Sequence, residues 1–316
     1  MILVTGGAGF IGSNLVRGLN RAGHDDIIVV DDLTDGRKFK NLVKCNICDY
    51  WDIEQLHQFI EKNQAVKTEV KALFHQGACT DTTEWDGRYM MQNNYDYSKL
   101  LLHYCLQHRI PFIYASSGSV YGVGRKFREL PENEAPVNVY GYSKYLFDVY
   151  VRKILRNAES QVAGLRYFNV YGPGEQHKKS MASVVHHFNE QVLATGRIKL
   201  FRGCDGFMDG EQRRDFILVD DVVAVNLWFM EHRDKSGIFN VGTGISRSFN
   251  DVARLITQWH GHGELQYIDF PETLSDSYQS FTEADISVLR DAGYQQEFVS
   301  LETGISRYLD WLNKKH

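Results

Sequence analysis

The stretch Thr5-Gly6-Gly7-Ala8-Gly9-Phe10-Ile11-Gly12 constrains this chain more than any other. It follows the apolar run Ile2 to Thr5 and precedes Ser13 to Ala22, which has helical character. The glycines at 6, 9 and 12 have separate duties in such a turn. Gly6 permits a tight exit from a strand, Gly9 lets a pyrophosphate approach the backbone, and Gly12 lets the helix lie close to the strand. The start of the helix then offers free N–H donors and a partial positive charge to phosphate. A second apolar run, Ile27 to Val30, ends in Asp31-Asp32. Strand, helix and strand, with a carboxylate about 20 positions past the last glycine, describe a dinucleotide-binding unit.

The alternation continues. Ala72 to Phe74 reads as a strand, Asn93 to Gln107 as a long helix, and Phe112 to Ala115 as a strand. Tyr142 to Ile154 reads as a helix and Val162 to Arg166 as a strand. Such a pattern predicts an α/β fold, a Rossmann-type doubly wound parallel sheet covered by helices on both faces. After Tyr171 the texture changes: Gly172-Pro173-Gly174 breaks the chain, Glu175 to Ser180 is polar and basic, and Phe201 to Arg214 is loop-like. Ile238 to Gly244 reads as a late strand and turn. The expectation is a nucleotide domain over 1–170, re-entered at about 215–242. A smaller, discontinuous α/β substrate domain would take 171–214 and 243–316.

The 316 residues, 43% apolar and 24% charged, carry a net charge of −5. At about 150 residues per domain this is a two-domain soluble chain with room for a large core. Mild acidity argues against a broad nucleic-acid surface. No apolar run reaches the roughly 18 residues that span a bilayer, and no secretory leader opens the sequence. The five cysteines are odd in number and scattered, Cys45 and Cys48 included, which fits reduced thiols in a cytoplasmic protein without a metal.

Asp31 suits an adenosine ribose and favours NAD, whereas Arg37 and Lys38 suit a 2′-phosphate and favour NADP, so the residues alone leave both cofactors open. Arg37 also reads as a solvated loop residue. Tyr140 and Lys144 stand one helical turn apart, on one face. A phenol titrates near 10, and a neighbouring ammonium together with a positive nicotinamide lowers it enough to serve as a base. Ser116, at the end of a strand, is placed to bind the same substrate oxygen.

The glycine turn, Ser116-Ser117-Gly118-Ser119-Val120-Tyr121-Gly122, the Tyr140/Lys144 pair, Arg166-Tyr167-Phe168-Asn169-Val170-Tyr171-Gly172-Pro173 and Arg214 to Val222 span nearly the whole chain. Together they resemble the extended short-chain dehydrogenase/reductases that act on nucleotide sugars. Longer strings, Gln76 to Gly87, Tyr89 to Tyr95 and His177 to Ser183, are similar to the ADP-glyceromanno-heptose 6-epimerase family. That resemblance implies NADP as a tightly held cofactor and ADP-D-glycero-D-manno-heptose as substrate. It also implies inversion at C6 through a transient ketone, a homo-oligomer, specifically a pentamer, and a role in supplying lipopolysaccharide core heptose.

The resemblance assigns catalysis to Tyr140 and Lys178, with Ser116 and Lys144. Gly6, Gly9, Phe10, Ile11, Gly12, Asp31, Asp32, Lys38, Asn93, Lys144, Val170 and Lys178 match cofactor contacts, with Gln76, Gly77, Ala78, Cys79 and Thr80 lining the same groove. Ser116, Asn169, Ser180, His187, Phe201, Arg202, Gly203, Cys204, Arg214 and Tyr278 match substrate contacts. From the residues alone, Lys178 reads equally as a phosphate-binding or solvated lysine, and Arg214 as a structural partner of Asp215 or Asp220. Ile53 stands where the family often has a cofactor-contacting lysine. Arg202 departs from the usual acidic string, and Asp205 to Gln212 resembles a small insertion. A UDP-hexose 4-epimerase would share Ser116, Tyr140 and Lys144 without needing His177 to Ser180. A 4,6-dehydratase would carry an acidic pair where Gly118-Ser119 stands, and a non-catalytic nucleotide-sensing protein would be expected to lose Tyr140 or Lys144.

Overall fold

The structure, a computed structural model, describes residues 1–62, 69–271 and 278–313. Seven parallel strands form the main sheet. Their spatial order is Gly237–Val241, Val162–Tyr167, Phe112–Ser117, Ala72–His75, Ile2–Thr5, Ile27–Asp31 and Asp49–Asp52. The winding reverses between Ile2–Thr5 and Ala72–His75, and a crevice for ligand forms beyond the carboxyl ends of strands at such a reversal. Burial on both faces explains why these strands are continuous apolar runs. Val4, Val29 and Phe74 face helices Phe10–Arg21 and Val219–Glu231, while Leu3, Ile28 and Leu73 face helices Ile53–Glu61, Tyr97–Gln107 and Val139–Leu155.

The expected helix from Asn93 to Gln107 has two parts: a π-helical turn, Gln92–Asp96, runs into Tyr97–Gln107. The strand Asp49–Asp52 escaped the sequence reading because it is a short edge strand with exposed acidic ends.

A second core gathers Val185 and Val192 from helix Val184–Thr195, Ile256 from Phe249–His260, and Ile305 and Leu309 from Leu301–Asn313. Beneath these helices lies the parallel pair Arg197–Phe201 and Glu264–Ile268. The expected domain boundaries need two corrections. Strand Phe216–Leu218 does not rejoin the main sheet; it pairs with Asn169–Tyr171, with Ile217 in the first core and Phe216 and Leu218 in the second. Helix Ser287–Ala292 and Tyr294 pack on the first core, although they fall within the 243–316 segment expected to belong to the substrate domain. Among the described residues, no helix is long and apolar enough to cross a membrane.

The C-terminal helix presses on this junction through Gly304, where an added Cβ would meet the Tyr171 hydroxyl at 1.9 Å. Tyr171 is itself buried. Gly304→Ala should therefore destabilise the protein by about 1–3 kcal/mol through overpacking. Urea unfolding measures this, and an unchanged midpoint would show that the contact is not tight.

Candidate active site

A cleft of about 790 Å³ opens at the reversal of the sheet, bounded by the glycine turn, Asp31, Asp32, Lys38, Gln76 to Thr80, Asn93 and Lys178. Gly6 adopts φ +65°, and a Cβ on Gly12 would sit 2.1 Å from the Gly6 carbonyl, so the turn admits no side chain at either place. Helix Phe10–Arg21 begins at Gly9 with no side-chain cap and no acidic residue in its first turn. Its first N–H groups are thus free for an anion. The cleft fits a dinucleotide: backbone donors for the pyrophosphate at one point, a carboxylate and an ammonium at another.

That second point is tightly built. The buried Asp31 carboxylate accepts the N–H of Ala8 at 2.7 Å and of Asp32 at 2.7 Å, and pairs with Lys38 Nζ at 2.8 Å. Arg37 is turned away and pairs with Asp35 at the surface. Of the two expected cations, Lys38 alone stands at the cleft. Ile53 also lines it and adds an apolar wall. Lys144 and Val170, matched to cofactor contacts by resemblance, lie outside this lining; Val170 packs against the first core.

Residues that sequence reasoning missed shape the floor. The buried Asn94 side chain accepts the Cys79 N–H at 2.8 Å and donates to the Cys79 carbonyl at 2.9 Å, which holds the strip Gln76 to Thr80. Asn94 belongs to the π-helical turn, a distortion often found at functional sites.

Helix Val139–Leu155 starts at Asn138, whose side chain accepts the Gly141 N–H at 2.7 Å. Tyr140 is therefore in the first turn, near the positive end of the helix dipole. Burial pushes its phenol above the usual range, and a hydrogen bond with Ser117 opposes the shift. Lys144 Nζ donates to the Ala115 carbonyl at 2.9 Å, and burial lowers its pKa to about 8. The expected serine is displaced by one residue. Ser116 is buried and its hydroxyl donates to Asp148 at 2.8 Å, while the serine at Tyr140 is Ser117. Neighbouring residues of a strand face opposite sides, so both serines cannot serve Tyr140.

Lys178 arrives from the other side of the cleft on the helical turn Gln176–Met181. Its ammonium lies 5.6 Å from the centre of the Phe10 ring, and burial lowers its pKa while Glu175 opposes the shift. Glu175 was read only as part of a polar stretch, yet its carboxylate is fully buried. It accepts the Gly172 N–H at 3.2 Å and both the N–H and the hydroxyl of Ser183, the latter at 2.7 Å. Both ends of the segment carrying Lys178 are tied to this one side chain. Lys179, next in the chain, is strained at φ +52°.

Arg214 is buried, with its guanidinium 4.9 Å from the Tyr278 ring and 5.5 Å from that of Phe249. It pairs with neither Asp215 nor Asp220, which removes the structural-partner alternative. The Asp215 carboxylate is taken by the N–H groups of Thr243, Gly244 and Ala284. A buried cation with no carboxylate among the described residues suits an incoming anion. Phe201 stacks edge-on with Tyr278 at 6.4 Å, and Cys204 accepts a hydrogen bond from Gln212 at 3.4 Å. The Ser180 carbonyl lies 3.3 Å from His187 Nε2, and Asn169 meets Thr282. Arg202 instead points to solvent and pairs with Asp269 at 3.1 Å, and the Gly203 N–H donates to Asp209 within the insertion.

The profile of the NAD dependent epimerase/dehydratase family matches residues 2–242. An ADP-L-glycero-D-manno-heptose-6-epimerase of Alkalilimnicola ehrlichii is 57% identical over 310 residues, covering 98% of this chain and 97% of that protein. The crystal structure of the Helicobacter pylori ADP-L-glycero-D-manno-heptose-6-epimerase superposes with a TM-score of 0.84 at 32% identity, over 99% of this chain and 96% of that one. A UDP-glucose 4-epimerase of Thermotoga maritima, solved with UDP-glucose, gives 0.80 at 30% identity over 99% and 98%. With the glycine turn and Lys178 lining one crevice, and identity this high across almost the entire length, the chain belongs to the NAD dependent epimerase/dehydratase family and, within it, to the ADP-L-glycero-D-manno-heptose-6-epimerases.

Proposed function

We propose that the chain inverts C6 of the heptose in ADP-D-glycero-D-manno-heptose, giving the L-glycero epimer through a transient 6-ketone. The observation that carries this reading is the mounting of two proton-transfer groups on separate parts of the fold. Tyr140 sits on a helix of the main sheet, and Lys178 on a segment anchored by Glu175 beside the second core. Inversion requires oxidation and reduction on opposite faces of one carbon, and one acid–base group cannot easily reach both. A bound nicotinamide supplies hydride acceptance and return. Tyr140, steadied as phenolate by Lys144 and Ser117, handles the alcohol proton on one face. Lys178, whose buried ammonium gives up its proton more readily than a solvated one, handles it on the other. Arg214 and His187 hold the diphosphate.

The cofactor is NADP on this reading, NAD being the alternative. What supports it is that Asp31 is already paired with Lys38, an ammonium lining the cleft and suited to a 2′-phosphate. The protein acts in the cytoplasm as a homo-oligomer, a pentamer by resemblance, in the supply of lipopolysaccharide core heptose.

Incubation with ADP-D-glycero-D-manno-heptose followed by NMR at C6 tests the reading directly; unchanged configuration would overturn it. Tyr140→Phe and Lys178→Met should each lower the rate by about 10²–10⁴-fold with cofactor still bound, and full activity in either variant removes that residue from catalysis. Lys38→Ala should weaken NADP binding about tenfold or more while leaving NAD binding nearly unchanged; equal losses in a fluorescence titration would favour NAD. Lys144 has a lowered pKa of about 8. Its ammonium is complete below that value and is lost as pH rises through it. The rate should therefore fall on the alkaline side of about pH 8, and a profile flat to pH 10 or so would contradict the role.

A further inference from the structure

The catalytic helix carries a third residue on the same face. Asp148 follows Lys144 by one turn, as Lys144 follows Tyr140. Its side chain is fully buried and accepts three hydrogen bonds, from the Tyr114 hydroxyl, the Ser116 hydroxyl and Arg166 Nε, each at 2.8 Å. Arg166 is also fully buried. It donates to the Tyr121 hydroxyl at 2.9 Å and to Glu134 at 2.5 Å, and Arg152 closes the set on Glu134 at 2.8 Å. The cluster ties the helix to strands Phe112–Ser117 and Val162–Tyr167.

We propose that Asp148 is a positioning residue for the Tyr140–Lys144 pair: it clamps their helix onto the sheet and supplies the negative charge that keeps Lys144 an ammonium. This rests on the function proposed above. The geometry leaves few competitors. Lys144 Nζ contacts the Ala115 carbonyl, and among the described residues no carboxylate bridges it. The other titratable groups near it are Cys79 and His75, with Tyr140 one turn away on the same helix. His75 is buried between Thr5 and Ser98, and that burial, with Lys144 beside it, depresses it to about 3, so it is neutral in the working range. On the far side of Asp148 stand Tyr114, Arg166 and Arg152, with Glu134 and Tyr121 behind. Burial holds Tyr114 protonated. Burial opposes the charge of Arg166, but Asp148, Tyr121 and Glu134 outweigh it. The charges of Asp148 and Glu134 therefore face fixed cations, and only Asp148 lies on the face of Lys144.

The test compares the NADP-loaded wild type with Asp148→Asn and Tyr114→Phe. Asp148→Asn removes the charge and keeps the shape. Tyr114→Phe keeps the charge and removes one donor that shares it. In Asp148→Asn the alkaline limb of kcat should move about one pH unit lower, a loss of about fivefold at a pH equal to the wild-type limb, with KM little changed. In Tyr114→Phe it should move higher. A nitrogen-15 NMR titration of Lys144 Nζ, identified by its absence in Lys144→Met, gives a readout that needs no sugar substrate. There the midpoint should fall in Asp148→Asn and rise in Tyr114→Phe. Wild-type protein that leaves ADP-heptose unchanged would overturn the function, whereas the Lys144 titration still decides the role of Asp148. Limbs and midpoints that coincide with wild type would overturn the proposal, even with a uniformly slower rate. Should Asp148→Asn not fold, the Tyr114→Phe arm decides alone.

Discussion

Burying a guanidinium is among the more expensive things a fold can do. It is tolerated only where carboxylates and hydroxyls satisfy the group from several directions. Arg166 meets that condition by drawing together four parts of the chain. Asp148 comes from helix Val139–Leu155, Glu134 from the loop before it, Tyr121 from the turn after the serines, and Arg166 itself from the next strand. Tyr121 donates to the Asn240 side chain at 2.7 Å, and Asn240 in turn donates its N–H to Glu129 at 2.7 Å and its side-chain amide to the Asp285 carbonyl at 3.0 Å. Removing one member would strand an opposite charge in a dry interior. Helix Val139–Leu155, the serine turn and the last strand of the sheet are therefore mutually located by electrostatic necessity rather than by apolar contact alone.

The parts of this molecule differ in how readily the sequence betrays them. Strands Ile2–Thr5, Ile27–Asp31 and Ala72–His75 were legible because a parallel strand covered on both faces must be apolar throughout. Asp49–Asp52 has no such obligation at the sheet edge. The pair Arg197–Phe201 and Glu264–Ile268 was hidden because its strands are only five residues each and lie far apart in sequence, although both alternate. The glycine turn was legible residue by residue, since backbone proximity leaves no chemical alternative. The serine was legible only to within one position, because a strand's side-chain direction alternates and periodicity does not reveal which face meets the tyrosine. Asp148, Glu134 and Glu175 were illegible for a deeper reason: an acidic residue in a helix or loop reads as solvated until its partners, distant in sequence, are known.

The mild net negative charge similarly concealed the local field. Lys38 and Lys178 line one crevice from separate segments, and Arg214 is buried against Tyr278. Their counter-charges are either internal, as for Asp31 with Lys38, or withheld, as for Arg214. An acidic protein thus presents cationic character to a ligand carrying several phosphates, without the broad basic surface that would attract nucleic acid.

Strand Phe216–Leu218 lends its alternate side chains to two different cores. Three consecutive residues thereby act as a shared wall, and neither core has a complete lining without it. The two interiors are therefore coupled through one strand: a change at Phe216, Ile217 or Leu218 is felt directly in one core and, through the shared backbone, in the other.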